Sequence, residues 1–350
     1  MMPSQVKGYA AHSSESDLVP YSFERRDLRA DDVEIEILYC GICHTDIHHV
    51  RGDWGPEEYP MVPGHEIIGR VLKVGEGVTK FSVGQSVGVG CLVDSCRECG
   101  SCEHHQEQYC DEFVPTYGSR DRHDGTLTFG GYSDKIVVSE RFVLSIPENL
   151  NLAGAAPLLC AGITMYSPLK RWNISAGKKV AVIGLGGLGH MGIKLAKAMG
   201  AEVTLFSRSK GKEEDAYRLG ADHVVISSSE SQMLSVKSSF DLIIDTVPYN
   251  HDVNPYLNTL APDGALVLVG FFGALEPTVQ TAALIARGKT LTGSLIGGLE
   301  ETQQMLDFCG EHNVTADIEM LDIKDINLAY ERLLKSDVKY RFVIDMSTLK

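Results

Sequence analysis

Two rhythms of apolar and polar positions divide the chain. Up to about residue 147 the apolar positions come in short alternating runs. Val33-Glu34-Ile35-Glu36-Ile37 alternates apolar and polar before Leu38, as the two faces of a half-buried strand require. Residues 67–77 and 83–90 repeat a strand followed by glycine, and 133–138 and 142–146 continue the series, so a small barrel-like all-β domain is predicted. After Pro147 the spacing lengthens. Residues 153–169 carry helical spacing, 178–183 read as a buried strand, 189–199 as an apolar helix and 202–206 as a strand, which is the β-α-β unit of a parallel sheet. A helix over 213–219 and strands over 224–226, 240–246 and 265–270 extend the alternation, predicting an α/β, doubly wound parallel sheet to about residue 295. Helices over 300–309 and 326–334 and a strand over 340–345 are expected to return to the first domain. The expected divisions are therefore 1–155, 156–295 and 296–350.

Composition narrows the partners. At 350 residues, 43% of them hydrophobic, the chain exceeds what one core holds, and two domains of roughly 150 residues each are the natural division. Asp plus Glu at 47 against Lys plus Arg at 32 give a net charge of −15, which repels a phosphate backbone and argues against nucleic acid as a partner. The longest apolar runs, 180–189 and 265–272, fall short of the ~20 residues that a membrane span needs. Nine cysteines is an odd number, and the opening residues lack the charged-then-apolar pattern of a signal segment. A reducing, cytoplasmic setting with thiolates available for metal is expected.

Cys96, Cys99, Cys102 and Cys110 form a C-x2-C-x2-C-x7-C cluster in a hydrophilic loop. Four thiolates so spaced suit a closed, tetrahedral structural zinc; an iron–sulfur cluster and incidental thiols are the competing readings. Gly184-Leu185-Gly186-Gly187-Leu188-Gly189 lies between a strand and a helix, the context in which glycines turn tightly and admit a pyrophosphate to the helix N-terminus. The bland alternative is a strand-to-helix turn with no ligand. About 20 residues on, where a carboxylate would hold the ribose of NAD, the chain has Ser207, Arg208, Ser209 and Lys212, with no acid before Glu213. Hydroxyls and cations there suit a 2′-phosphate, so NADP(H) is favoured over a merely solvated basic turn.

The stretch from Cys40 to His48, read with Pro63-Gly64-His65-Glu66, carries the remaining chemistry. Cys43 and His65, joined by Cys160, supply three zinc ligands and leave a fourth position for water or substrate, the catalytic type of site. Each is equally compatible with ordinary packing when taken alone. Glu66 is a candidate fourth ligand or supporting carboxylate, Asp46 a candidate to orient His65, and Thr45 and His48 are spaced to pass a proton.

These motifs, G-x-C-H-T-D-x-H over 41–48, P-G-H-E over 63–66, G-V-G-C over 88–91, the four-thiolate lobe, G-L-G-G-L-G-H and V-K-Y-R-F over 338–342, resemble the zinc-dependent medium-chain alcohol dehydrogenases. The resemblance is strongest to the cinnamyl-alcohol-dehydrogenase-like aldehyde reductases. It implies a GroES-like β domain joined to a Rossmann domain with the active site in the cleft between them, two zinc ions per chain, and a homodimer. It implies reversible reduction of aromatic and aliphatic aldehydes to primary alcohols by hydride transfer from NADPH. By the same resemblance His44 touches the cofactor pyrophosphate, Thr45 the substrate oxygen, and His48 passes the proton to solvent by way of the nicotinamide ribose. Thr164, Thr246 and Val269 are further cofactor contacts, and Trp54, Cys91, Leu295 and Ile296 line the substrate pocket. Pro115 and Leu295 stand where plant relatives carry a Trp and a Phe, so a broad, mostly apolar pocket is expected. The rival readings are an NAD-dependent alcohol or polyol dehydrogenase and an inert, zinc-stabilised nucleotide-binding protein.

Overall fold

The computed structural model describes residues 4–350; residues 1–3, part of the opening stretch read for a signal segment, lie outside it. The chain forms two compact units, residues 1–160 with 297–350, and residues 161–296. The boundary falls after Cys160 rather than after 155, because the 3-10 turn Ala156–Leu159 packs on strands of the first unit.

The first unit is built on the long strand Asp32–Ile42, rich in β-branched and aliphatic residues, with Val33, Ile35, Ile37, Cys40 and Ile42 buried. Its seven-stranded sheet runs in the order Ile318–Asp322, Arg341–Asp345, Asp32–Ile42, Ile67–Val74, Ser86–Val89, Leu144–Ser145, with Lys135–Ser139 also paired to Asp32–Ile42. The C-terminal strand is antiparallel to Asp32–Ile42 with Phe342 opposite Ile42, which brings Arg341 to the end of the strand that leads into Cys43.

The second unit is a six-stranded parallel sheet in the order His223–Ile226, Glu202–Ser207, Lys179–Ile183, Phe240–Asp245, Leu260–Leu268, Thr290–Gly293. The strand order reverses between Lys179–Ile183 and Phe240–Asp245, and ligands of such sheets bind at the carboxyl ends of the strands at that point. Ile183, Phe206, Phe240, Ile243, Tyr256 and Leu266 pack one core beneath it. Among the described residues no single helix is long and apolar enough to cross a membrane.

One expected element is not continuous. The helical spacing over 153–169 is realised as Leu152–Ala155, the 3-10 turn Ala156–Leu159 and the helix Ala161–Arg171. Pro157 supplies no N–H to an α-helical ladder, and Cys160 leaves helical geometry at φ −128° and ψ −70°. Apolar periodicity does not register such a break, since both halves bury the same kind of side chain.

Candidate active site and metal centres

Cys43 ends the extended segment and caps the helix His44–Arg51, while His65 and Glu66 immediately precede the strand Ile67–Val74. With Cys160, these residues place two sulfurs, an imidazole nitrogen and a carboxylate oxygen within 4.8 Å of one another, all on buried residues. Cys43 Sγ and Cys160 Sγ are 3.9 Å apart. That is far beyond a disulfide bond of about 2.05 Å and close to the ~3.8 Å edge of a tetrahedron with zinc–sulfur bonds of ~2.3 Å. The donor set and its spacing fit zinc.

Asp46 organises this group. It is fully buried, and its carboxylate accepts hydrogen bonds from the Cys43 N–H (2.8 Å), the Gly64 N–H (3.1 Å) and the Tyr132 hydroxyl (3.1 Å). His65 Nδ1 also lies 3.1 Å from it. In the neutral imidazole, donation of Nδ1–H to a carboxylate leaves Nε2 as the lone-pair ligand for a metal. Burial opposes charge on His65, yet Asp46 outweighs it and holds the imidazole well above its usual range. The hydrogen bond from Cys160, reinforced by Arg341 and His65, holds Cys43 well below the ordinary thiol value, while Cys160 is pushed up by the same contact. Both shifts come from the one Sγ–Sγ contact, and a cation between the sulfurs would favour the thiolate of each.

Glu66 is completely buried, and burial pushes its carboxyl up to about 7 despite the adjacent Arg341. Its Oε1 pairs with Arg341, whereas Oε2 has no hydrogen-bond partner among the described residues. Gly41 makes room for it, since a Cβ there would lie 1.9 Å from Oε2. Arg341 sits inside a sequence motif, but only the strand pairing reveals its contact with Glu66.

Thr45 Oγ1 lies 3.5 Å from Cys43 Sγ. His48, one turn further along the helix, stacks on the partly exposed Trp54 at 4.8 Å. Gly52 ends the helix in a left-handed conformation (φ 66°), and the Asp53 N–H returns to the His48 carbonyl. This fold-back sets Asp53 Oδ2 2.8 Å from His48 Nδ1. The sequence reading passed over Asp53, although a glycine closing a helix just before an acid was the available signal. His44, the first residue of the helix, is half-buried, and burial lowers its pKa. Cys91 lies close to Cys160, whose hydrogen bond lowers the Cys91 pKa.

In the lobe, Cys96, Cys99, Cys102 and Cys110 also bring four sulfurs within 4.8 Å, with Cys96–Cys102 at 3.8 Å and Cys99–Cys102 at 3.6 Å. Backbone N–H groups of Cys99 and Cys96 donate to Cys96 Sγ and Cys110 Sγ at 3.3 and 3.4 Å, an arrangement suited to thiolates. Such donors, the Glu98 N–H foremost, bring Cys96 down to about 7. Among the described residues no fifth His, Cys, Asp or Glu joins the set, which fits one closed tetrahedral ion.

In the second unit the glycine loop joins the strand Lys179–Ile183 to the helix Gly189–Ala198. Gly184 is left-handed (φ 91°), and a Cβ on Gly189 would lie 2.0 Å from the Gly184 carbonyl oxygen, so both positions demand glycine. A Cβ on Gly186 would meet nothing within 4 Å; the loop has an open face there, with Gly187 and Leu188 leading into the helix. This cradle fits a pyrophosphate. Thr246 closes its floor by donating to the Ile183 carbonyl (2.8 Å), and the Val269 N–H donates to the Asp245 carbonyl at the end of the next strand. Thr164 is buried in the helix Ala161–Arg171, which packs on Gly189–Ala198. Lys212 Nζ donates to the Leu185 carbonyl at 2.6 Å, bringing the basic turn back to the glycine loop. Ser207 is spent locally, its hydroxyl donating to the Ser209 carbonyl, while Arg208 and Ser209 are exposed. Leu295 and Ile296 close the second unit after the strand Thr290–Gly293.

The chain matches the family described as "Alcohol dehydrogenase GroES-like domain" over residues 29–148 and that described as "Zinc-binding dehydrogenase" over residues 187–311. It is 50% identical to the aldehyde reductase YahK of Escherichia coli over 347 residues, 99% of each chain. It is 54% identical to NADP-dependent alcohol dehydrogenase C 1 of Mycolicibacterium smegmatis over 351 residues, again 99% of each. The structure of a cinnamyl alcohol dehydrogenase (CAD) from Helicobacter pylori, complexed with NADP(H), superposes with a TM-score of 0.93 at 44% identity, covering 100% of both chains. Motifs, fold and these full-length likenesses agree: the chain belongs to the zinc-dependent medium-chain alcohol dehydrogenase family, among its cinnamyl-alcohol-dehydrogenase-like aldehyde reductases.

Proposed function

We propose that this enzyme reduces aldehydes to primary alcohols with NADPH and runs the reverse oxidation at the same site, using one catalytic zinc on Cys43, His65 and Cys160. The observation that carries this reading is the convergence of those three side chains around a 3.9 Å Sγ–Sγ separation. Zinc there supplies a Lewis acid for the substrate oxygen, and NADPH supplies the hydride. Thr45 is assigned to donate its hydroxyl proton to the substrate oxygen as the alcohol forms. His48 replaces that proton, with its Nδ1 held by Asp53 at 2.8 Å. Asp46 fixes the tautomer of His65, and Glu66, carrying an unpartnered Oε2, is the proposed alternate ligand when substrate or product exchanges.

A second, structural zinc is assigned to Cys96, Cys99, Cys102 and Cys110. Trp54 and Cys91 are assigned to the substrate, where an aromatic face and a small sulfur-bearing side chain accept apolar aldehydes of varied shape. Nine free thiols suit a reducing cytoplasm, and a homodimer is the proposed assembly, which light scattering on the purified protein tests.

NADP(H) preference is assigned to Arg208, Ser209 and Lys212, with Ser207 shaping the turn. NADP(H) and NADP also stand in the names of the similar proteins from Helicobacter pylori and Mycolicibacterium smegmatis. Arg208→Asp removes a cation from the phosphate and sets a like charge against it. The ratio of kcat/KM for NADPH over NADH is expected to fall by on the order of 10- to 100-fold. A ratio that does not move excludes Arg208 from phosphate recognition. For the activity as a whole, a panel of aromatic and aliphatic aldehydes assayed by loss of NADPH absorbance is decisive. Turnover of several is expected; no turnover of any by fully zinc-loaded protein contradicts the reading.

A further inference from the structure

At the carboxyl end of the strand Phe240–Asp245 the chain passes Thr246 and enters segment 247–253, which the mechanism above does not use. Asp245 there is completely buried. Its Oδ1 accepts the Val247 N–H at 3.1 Å, but its Oδ2 has no hydrogen-bond donor among the described residues. The atom facing Oδ2 is His251 Nε2, at 3.1 Å, itself buried and without any other acceptor. On the other side of the ring His251 Nδ1 lies 3.0 Å from the carbonyl oxygen of Tyr249. With His251 protonated, Nδ1–H is the donor to the Tyr249 carbonyl and the charge of the ring lies 3.1 Å from Asp245 Oδ2. A buried carboxylate oxygen otherwise unpaired is costly, so the charge on His251 compensates Asp245.

This contact fixes a platform. His251 closes a short loop back onto Tyr249, and the Tyr249 ring lies under the Arg208 guanidinium, with Cζ 5.4 Å from the ring centroid. A second line of packing reaches the same residue: the His251 ring meets Tyr256 at 6.1 Å, and Tyr256 meets Phe206 at 5.2 Å, two positions before Arg208. A guanidinium held at an aromatic ring by cation–π attraction samples fewer orientations, which favours recognition of a phosphate by its N–H fork.

We propose that His251 is a positioning residue for cofactor choice: its clamp between Asp245 and the Tyr249 carbonyl holds the Tyr249 ring against Arg208 and presents that guanidinium to the 2′-phosphate. The inference rests on the NADP(H) reading and deepens it. The groups facing His251 are Asp245, Asp252, Tyr249 and Tyr256, together with the ring of Phe272 at 5.9 Å. The close contact with Asp245, opposed by burial and reinforced by Asp252, raises the pKa of His251 above its usual value. The sign follows: the clamp is present below the ordinary imidazole range and is lost as pH rises through the raised, folded-state value. NADPH affinity weakens across that rise. The 2′-phosphate itself titrates lower, near about pH 6, and NADH lacks it.

The test measures equilibrium binding of NADPH and of NADH to the zinc-loaded enzyme by nicotinamide fluorescence, across pH, for the wild type, His251→Gln and Tyr249→Leu. In His251→Gln the Kd for NADPH is expected to rise about tenfold while that for NADH stays within about twofold, and the loss of NADPH affinity above the His251 pKa disappears. Tyr249→Leu changes a half-exposed side chain, leaves the His251–Asp245 pair in place, and is expected to give the same selective loss. Equal weakening of both cofactors in the two variants, or no weakening in Tyr249→Leu, overturns the proposal. If the wild type binds NADPH no better than NADH and Arg208→Asp leaves the two affinities alike, the NADP(H) reading falls and takes this one with it. If Arg208→Asp moves the preference and neither His251→Gln nor Tyr249→Leu does, this inference alone fails.

Discussion

Cys43→Ala and His65→Ala are each expected to lower kcat/KM by on the order of 10³-fold or more, with the zinc content falling by one ion per chain. A Lewis acid at the reacting oxygen contributes several kcal/mol of charge stabilisation, and each 1.36 kcal/mol is about tenfold in rate. Removing one of the three proposed ligands would leave only His65 or Cys43 with Cys160 and the Arg341-paired Glu66, a set too poor to retain the ion. Neither variant is expected to unfold. The backbone N–H of Cys43 still caps Asp46 in the first. In the second Asp46 keeps its donors from Cys43, Gly64 and Tyr132. Circular dichroism and a melting curve verify the fold, and metal analysis with a rate assay verifies the rest. Full activity in either variant refutes the catalytic zinc.

Cys99→Ser acts through stability. Its side chain sits in a lobe whose four sulfurs lie within 4.8 Å of one another, with backbone N–H groups pointed at them. Structural zinc binding is itself folding free energy, commonly about 10–16 kcal/mol in isolated zinc-finger peptides. If only about 3 kcal/mol of it is felt by the whole protein, the melting temperature falls by roughly 4 °C. The expected result is a lower Tm, one zinc fewer, and kcat changed far less than in the Cys43 variant. An unchanged melting curve with full zinc content contradicts the structural assignment.

What was legible in the chain follows from the range of the interactions involved. Period-two and β-α-β patterns are local, and they announced both units and the strands Asp32–Ile42, Lys179–Ile183 and Glu202–Ser207 to within a few residues. Cysteine spacing in the lobe and the glycine loop are local as well. The three-residue convergence of Cys43, His65 and Cys160 is not, and came from chemistry and family resemblance rather than from spacing. Nothing nearby in sequence marks Tyr132 as a donor to Asp46, 86 positions away, or Arg341 as the partner of Glu66, 275 positions away. These contacts exist only because strands from distant parts of the chain are paired. The break at Cys160 escaped for a related reason: periodicity records which side chains are buried, and a buried turn between two buried helical pieces leaves that record unchanged.

The account depends on an ion at the junction of Cys43, His65 and Cys160. The direct measurement is crystallography of the purified enzyme with anomalous data collected on both sides of the zinc absorption edge. Two anomalous peaks per chain are predicted, one within the four thiolates of the lobe and one about 2.0–2.3 Å from Cys43 Sγ, His65 Nε2 and Cys160 Sγ. A single peak in the lobe, with Cys43, His65 and Cys160 bare in fully active protein, would contradict it.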